Sequence, residues 1–289
     1  MKYRLAGASA GPAREFKSSV KAFLRDLLPR QVRTHRILAG PLRGRKMVTS
    51  WHRNFSGLVG RTEPGVNSWF AKNVRAGETW LDIGANYGCT ALRLADLVGP
   101  SGRVFAFEPK LDTCGNLSET VALNRMPQII VVPVALGANH DLDLRRFTTS
   151  GSMAVGTNLA DGPAESVIMA RLDWLWPRIA GGSSDEMKID GVKIDVQGME
   201  LEVLRGMTEL LRTHTPRLCV EVHPGVDRNK LLDLLEFCGY SRHGTPVSNG
   251  SDREPEPLYL DNTSYAFESL RRVRQGGGVG NISNLITTE

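Results

Sequence analysis

A single doubly wound α/β domain with a mostly parallel sheet, preceded by a basic helical extension, is the fold this sequence predicts. Three observations predict it. An apolar stretch, Trp80-Leu81-Asp82-Ile83, runs into a turn with glycines at 84 and 88 that opens a helix. A second apolar stretch ends in Glu108, twenty residues past Gly88. Strand-like and helix-like segments then alternate as far as residue 237, the pattern of βαβ units.

The elements follow in order. Phe16, Val20, Phe23, Leu24, Leu27 and Leu28 recur at helical spacing, and Pro29 ends that helix. Residues 30–64 carry many arginines and no clean period, so a lid, an edge hairpin or a packing arm all fit. A short helix over 68–74 leads to a strand over 79–83, a helix over 89–98, a strand over 104–107, a helix over 111–124 and a strand over 129–132. Residues 137–166, rich in Gly, Ser and Thr, read as an irregular insertion over the site. The alternation resumes with a strand over 192–196, a helix over 200–211, a strand over 218–222 and a helix over 229–237. Strand material at 258–260 and 265–268 closes the domain, and 271–289 is expected to be a disordered tail. The organisation expected is a basic extension or lid at 1–67, a main domain at 68–270 and the tail.

Composition bounds the class. A chain of 289 residues with 41% hydrophobic and 23% charged residues has material for one large core. No run of 18 or so apolar residues and no leader pattern is present, so a soluble cytoplasmic protein is expected. Cys89, Cys114, Cys219 and Cys238 are widely spaced and form no C-x-x-C pair, which fits reduced thiols. The net charge of +5 is concentrated early: residues 14–53 hold eleven Lys or Arg against Glu15 and Asp26.

The chemistry concentrates in three blocks. In Asp82-Ile83-Gly84-Ala85-Asn86-Tyr87-Gly88 the glycines let a ligand approach backbone N–H groups. A dinucleotide fingerprint needs a third glycine, and Asp82 suits the ammonium of S-adenosylmethionine better than a pyrophosphate. Glu108 stands where doubly wound nucleotide folds place a carboxylate on the ribose hydroxyls. In the second block, Val192 to Gly206, the strand ends at Asp195, which can accept a proton, orient an acceptor, help hold a divalent metal or cap the next helix. In the third, Leu218 to Pro224, Glu221 and His223 fall at the neighbouring strand end, and the imidazole titrates near neutrality. No residue set is assigned to a metal. Arg171-Leu172-Asp173-Trp174, Gly151-Ser152-Met153 and Ser183-Ser184 are either mouth-lining or plain edge and loop.

Together these blocks resemble the FkbM family of methyltransferases, in Leu81 to Gly88, in Phe107-Glu108-Pro109 and in Lys193 to Gly198. The resemblance covers roughly residues 80–240, with Asn124 and Leu172-Asp173 also matching. It implies a Rossmann-like, class I methyltransferase domain with a seven-stranded sheet whose last strand is antiparallel. It also implies S-adenosylmethionine as methyl donor and a hydroxyl acceptor on a sugar or secondary metabolite. By position it puts Asp82, Gly84 and Gly88 around the methionine part, Glu108 at the ribose, Ala135 or its neighbours at the adenine and Asp195 facing the methyl, with Asn86 and Tyr87 of the same loop also expected to bind the cofactor. One departure is Gln197, where the family usually has glutamate.

The reading is therefore an O-methyltransferase in which Asp195 or His223, with Glu221 beside them, takes the acceptor's proton. Two other classes are weighed. An NAD-dependent oxidoreductase is disfavoured by the missing third glycine and by Asp82. A non-catalytic nucleic-acid or membrane module would use the basic arm, yet that arm alternates basic with apolar residues as a lid does. A small-molecule acceptor rather than nucleic acid is the expected partner, and an oligomer is compatible with the sequence.

Overall fold

The computed structural model describes residues 26–139, 141–150, 153–154, 164–181, 187–247 and 260–270. The helix expected from Phe16 lies almost wholly outside them, as do Gly151-Ser152, Ser183-Ser184, residues 258–259 and the tail from 271.

Seven strands form the central sheet: β3 (Thr79–Ile83), β4 (Arg103–Phe107), β5 (Ile129–Val132), β10 (Gly191–Ile194), β11 (Arg217–Val222), β12 (Thr245–Pro246) and β13 (Thr263–Phe267). Their order is β12-β13-β11-β10-β3-β4-β5. All neighbours run parallel except that β13 is antiparallel to both β11 and β12. This is the seven-stranded sheet with an antiparallel last strand that the family resemblance implied. The chain leaves β3 towards β4 and β5, then returns to β10 on the other side of β3. The crevice at the carboxyl ends of β3 and β10 is thus the topological switch point, where open α/β sheets bind ligands.

Every residue of β3 is buried, as a strand covered on both faces must be. Period-2 alternation sends Leu81 and Ile83 into one cluster with Phe105, Val192, Leu218 and Trp176. Trp80 goes to the opposite cluster with Val104, Phe70 and Leu92. Each layer carries an edge-to-face aromatic pair, Phe105–Trp176 at 4.9 Å and Phe70–Trp80 at 5.7 Å between ring centroids. Such pairs add about 0.5–1.5 kcal/mol beyond burial.

The helices α3 (Cys89–Val98), α4 (Leu111–Asn124) and α8 (Arg228–Phe237) connect successive strands. The helix expected over 200–211 is instead two short ones, α6 (Glu200–Arg205) and α7 (Thr208–His214). They part at Gly206, whose absent Cβ would stand 2.0 Å from the Gly137 carbonyl oxygen. Asp173, in α5 (Leu172–Ile179), accepts from the Glu209 and Leu210 amides at 3.2 and 3.1 Å. It therefore caps α7, and the Arg171-Leu172-Asp173-Trp174 block is a helix start rather than edge or loop.

Residues 30–64 take the hairpin-and-packing form among the three alternatives. Strands β1 (Arg33–Arg36) and β2 (Lys46–Thr49) pair antiparallel, followed by α1 (Trp51–Leu58) and α2 (Pro64–Asn73). Side chains of α4 satisfy the edge of β2: Asn124 accepts from Lys46 N at 2.9 Å and donates to Lys46 O at 2.7 Å, and Thr120 Oγ1 accepts from Val48 N at 2.9 Å. Asn124 thus holds the arm, away from the crevice. The hairpin covers its own exposed edge in doing so.

The stretch expected to be irregular holds regular structure. Strands β7 (Leu142–Ser150) and β9 (Ala164–Ala170) pair antiparallel over seven residue pairs. With β6 (Ala135–Leu136) and β8 (Met153–Ala154) they make a second sheet, order β6-β9-β7-β8.

Candidate functional site

The crevice is lined on one side by Ile83, Gly84, Asn86, Phe107, Glu108 and Ala135, and on the other by Asp195, Val196 and Gln197. Phe147 from β7 and Val167 from β9 cover it. The second sheet is therefore the insertion over the site, as expected, but built as a hairpin.

Backbone hydrogen bonds build the first loop. Gly84 N and Ala85 N donate to Phe107 O at 3.0 and 2.9 Å, which ties the β3 turn to the end of β4. Gly84 sits at φ +90, and a Cβ there would lie 1.9 Å from the Asp195 carbonyl oxygen, so only glycine fits. Asn86, at φ +49, donates its N–H to Glu108 Oε2 at 2.9 Å. Lys110 N donates to the other Glu108 oxygen at 2.9 Å. Burial pushes the Glu108 carboxyl up to about 7 despite these two donors.

Of the residues expected to hold the cofactor, Gly84, Asn86, Glu108, Ala135 and Asp195 line the crevice, and Asp82, Tyr87 and Gly88 do not. Tyr87 packs into the core beside α3. Asp82 is buried on β3, cross-strand from Lys193, with its Oδ2 unpartnered. Burial raises its carboxyl to about 8, against the pull of Lys193.

The β10 side is a charge cluster. Lys193, on β10, has a side chain 1% exposed, and its Nζ faces three carboxylates: Glu63 Oε1 at 3.5 Å, Asp195 Oδ2 at 3.8 Å and Glu221 Oε2 at 3.5 Å. Burial opposes the ammonium, but the surrounding carboxylates outweigh it and raise its pKa. The other oxygens of Asp195 and Glu221 face His223 Nε2 at 3.6 and 3.7 Å. His223 Nδ1 is 2.8 Å from Glu200 Oε1, and Glu200 is fully buried. A carboxylate can only accept, so Nδ1 carries the proton and Nε2 is turned towards Asp195 and Glu221. Burial works against the imidazolium, but the Glu200 hydrogen bond and the Asp195 charge prevail and raise the His223 pKa. Glu221 is lifted to about 7 by burial and by Asp195.

Glu200 also shapes the loop that carries Asp195. Its Oε1 accepts from Gly198 N at 3.0 Å and Val196 N at 3.4 Å, across a turn with Gln197 at φ +58 and Gly198 at φ +108. Gln197 Nε2 donates to Asp195 Oδ1 at 3.2 Å. The amide at this position thus supports Asp195, where a glutamate would repel it.

The structure brings Asp195, Glu221 and His223 together as expected from the strand ends. Sequence reasoning missed Glu200, Lys193 and Glu63. The first two lie in the quoted block, and the signal was a buried-strand lysine and a glutamate at a helix start. Nothing in the sequence pointed to Glu63.

A seven-stranded sheet of this order, with a carboxylate after its second parallel strand and an acidic cluster across the switch point, defines a Rossmann-like, class I methyltransferase architecture. The chain belongs to the FkbM methyltransferase family, whose domain model, Methyltransferase FkbM domain, matches residues 82–242. The hexuronic acid methyltransferase AglP of Haloferax volcanii is 31% identical over 175 residues, which cover 59% of this chain and 66% of that protein, just under two thirds of its length. Among solved structures, the methyltransferase FkbM of Methylobacillus flagellatus KT is 18% identical at a TM-score of 0.41, over 70% of this chain and 50% of that one. The fibrillarin of Aeropyrum pernix, solved with natively bound S-adenosyl-L-methionine, is 15% identical at a TM-score of 0.42, over 82% of each chain.

The four cysteines are free thiols, three of them buried. Among the described residues no helix is long and apolar enough to cross a membrane.

Proposed function

We propose that this protein is an S-adenosylmethionine-dependent methyltransferase that methylates a hydroxyl group of a sugar, with a hexuronic acid as the acceptor class to test first. The observation that carries it is one crevice holding Glu108 on its β4 wall and Asp195 on its β10 wall, with apolar Ile83, Phe107 and Leu136 between them. The family and the printed activity of the relative from Haloferax volcanii support the reading.

The residues fit the cofactor. Glu108 retains acceptor capacity for a ribose diol, since each oxygen uses one backbone donor. Asn86 Oδ1, on the crevice wall, is a buried acceptor without a hydrogen-bond partner and suits a donor on the ligand. Apolar Val134 and Leu136 beside Ala135 suit an adenine face. The Gly84 and Ala85 amides are spent on Phe107 O and so are not free to cradle a pyrophosphate. That disfavours the oxidoreductase alternative.

When bound, S-adenosylmethionine supplies the methyl on a sulfonium leaving group. The chain's own residues align the acceptor oxygen and exclude water: Asp195 lines the crevice and can orient the hydroxyl, while Phe147 and Val167 close over it. Asp195 and His223 are placed to receive the acceptor's proton, with Glu221 beside them.

The test is ligand stabilisation followed by turnover. S-adenosylmethionine and S-adenosylhomocysteine should raise the melting temperature, by mass action about 2.7 kcal/mol at a hundredfold excess over Kd. NAD should not, and Glu108→Ala should lose the effect. Methyl transfer to hexuronic acid glycosides should then exceed transfer to neutral hexosides. Selective stabilisation by NAD would overturn the reading.

A further inference from the structure

The acceptor wall carries more negative charge than its partners neutralise. Glu63, Asp195, Glu200 and Glu221 are met by one obligatory cation, Lys193, and by His223. A net positive cofactor would lessen the excess without removing it. Half-buried carboxylates gathered round one lysine and one histidine favour a further cation among them.

The geometry says where one would sit. Asp195 and Glu221 are each two-faced: Asp195 Oδ2 and Glu221 Oε2 are turned to Lys193 Nζ, and Asp195 Oδ1 and Glu221 Oε1 are turned to His223 Nε2. Nε2 lies 3.6 and 3.7 Å from those two oxygens, beyond hydrogen-bond distance. Two metal bonds of about 2.1 Å at a tetrahedral angle span roughly 3.4 Å, close to these separations. Among the described residues these three side chains are the group whose ligand atoms all lie within 4.8 Å of one another.

A second observation points the same way. His223, only 4% exposed, is clamped at Nδ1 by the fully buried Glu200. A carboxylate on one ring nitrogen fixes the tautomer and aims the other at an ion, the usual outer-shell support of a metal-bound histidine. Glu200 also pins the turn that carries Asp195, so one buried side chain holds two of the three ligands in place.

We infer that Asp195 Oδ1, Glu221 Oε1 and His223 Nε2 form a three-ligand site for a divalent first-row metal ion, oriented by Glu200 and balanced by Lys193. The mixed oxygen and imidazole set suits Mn²⁺, Fe²⁺ or Zn²⁺ better than Mg²⁺ or Ca²⁺. Asp195 also lines the crevice, so the open coordination positions face the bound acceptor. What the ion would do rests on the proposed methyl transfer to a hydroxyl: a coordinated hydroxyl loses its proton more readily. With His223 Nε2 and Asp195 Oδ1 committed to the ion, Asp195 Oδ2 is the oxygen left to take the hydroxyl's proton. That the ion binds rests on geometry alone.

The experiment is a titration of the metal-stripped full chain with Mn²⁺, read by calorimetry and by the loss of the free-ion electron paramagnetic resonance signal, with no cofactor or acceptor present. The expected result is one saturable site per chain. Its affinity should fall at least tenfold in Asp195→Asn, Glu221→Gln and His223→Gln and stay unchanged in the surface control Asp233→Asn. Circular dichroism and S-adenosylhomocysteine binding identify any variant that fails to fold. Co²⁺ in place of Mn²⁺ should give visible absorption bands that shift in His223→Gln, a readout a merely structural histidine would not move. No saturable site in the wild-type chain, or one indifferent to all three substitutions, would overturn the inference. A chain that binds S-adenosylhomocysteine without Mn²⁺ overturns this site alone, and one that binds Mn²⁺ without adenosyl ligands overturns the proposed reaction alone.

Discussion

Glu63 and Lys193 stand 130 positions apart in the chain, and their charged atoms meet at 3.5 Å. Glu63 precedes α2 in a left-handed conformation, φ +37, and its carboxylate reaches β10 across the sheet end. A residue ahead of α2 thus contributes a charge to the β10 side of the crevice.

Replacing Glu63 by Gln therefore removes one of three carboxylates from a buried ammonium. Glu63 is itself about one-third exposed, so solvent screening reduces the loss. A destabilisation of about 1–2 kcal/mol is expected, measured by urea denaturation. An unchanged midpoint would mean that Asp195 and Glu221 suffice for Lys193.

Glu108 ties stability to pH. Its folded-state carboxyl is raised to about 7, and a free one titrates near 4.5. Between those values the folded chain holds a proton that the unfolded chain has released, so stability falls as pH rises through the window. Glu108→Gln sets an NH2 against one of the two backbone donors at any pH, so the pH-dependent part is the test: relative to wild type the ligand-free variant should gain roughly 1–3 kcal/mol between pH 4.5 and pH 8. The same substitution should weaken S-adenosylmethionine at least tenfold. Thermal scans and calorimetry at the two pH values separate the effects, and a variant that gains nothing over that range would contradict the burial argument.

Gly84→Ala should be more damaging than an ordinary loop substitution. The new methyl would overlap the Asp195 carbonyl, and the residue would keep a positive φ. A loss of about 2–4 kcal/mol is expected, with cofactor affinity falling in parallel. A melting temperature within a degree of wild type would show that the two loops move apart freely.

Phe147→Ala tests whether the β7–β9 hairpin is part of the site. Phe147 is buried and lines the crevice. Truncation should cost about 2–4 kcal/mol of stability and raise the KM for acceptor or cofactor several-fold. Steady-state kinetics with unchanged KM values would reduce the hairpin to a structural appendage.

Much of the frame was legible because its periodicity is clean. Expected and observed bounds coincide for β3, β5, α3 and α4. The β7–β9 hairpin was not legible: Leu142, Leu144 and Ile168 are exposed on its outer face, so its alternation lacks the polar side that marks a half-buried strand. The break between α6 and α7 was announced by Gly206, but a lone glycine is tolerated in a helix and gave no decision. At the site, strand ends gave Asp195, Glu221 and His223, because chain order predicts which residues a parallel sheet brings to one edge. Glu63 and Glu200 were hidden because their roles depend on partners that only the folded chain supplies.

The missing side chain at Gly84 has a mechanical consequence. With the Asp195 carbonyl filling that space, the turn after β3 and the end of β10 are in direct backbone contact. A push on either is transmitted to the other without an intervening side chain to absorb it. Under the proposed methyl transfer, this backbone contact would register the two reacting partners, and adjustment to acceptors of different size would fall to the hairpin above the crevice and not to the floor beneath it.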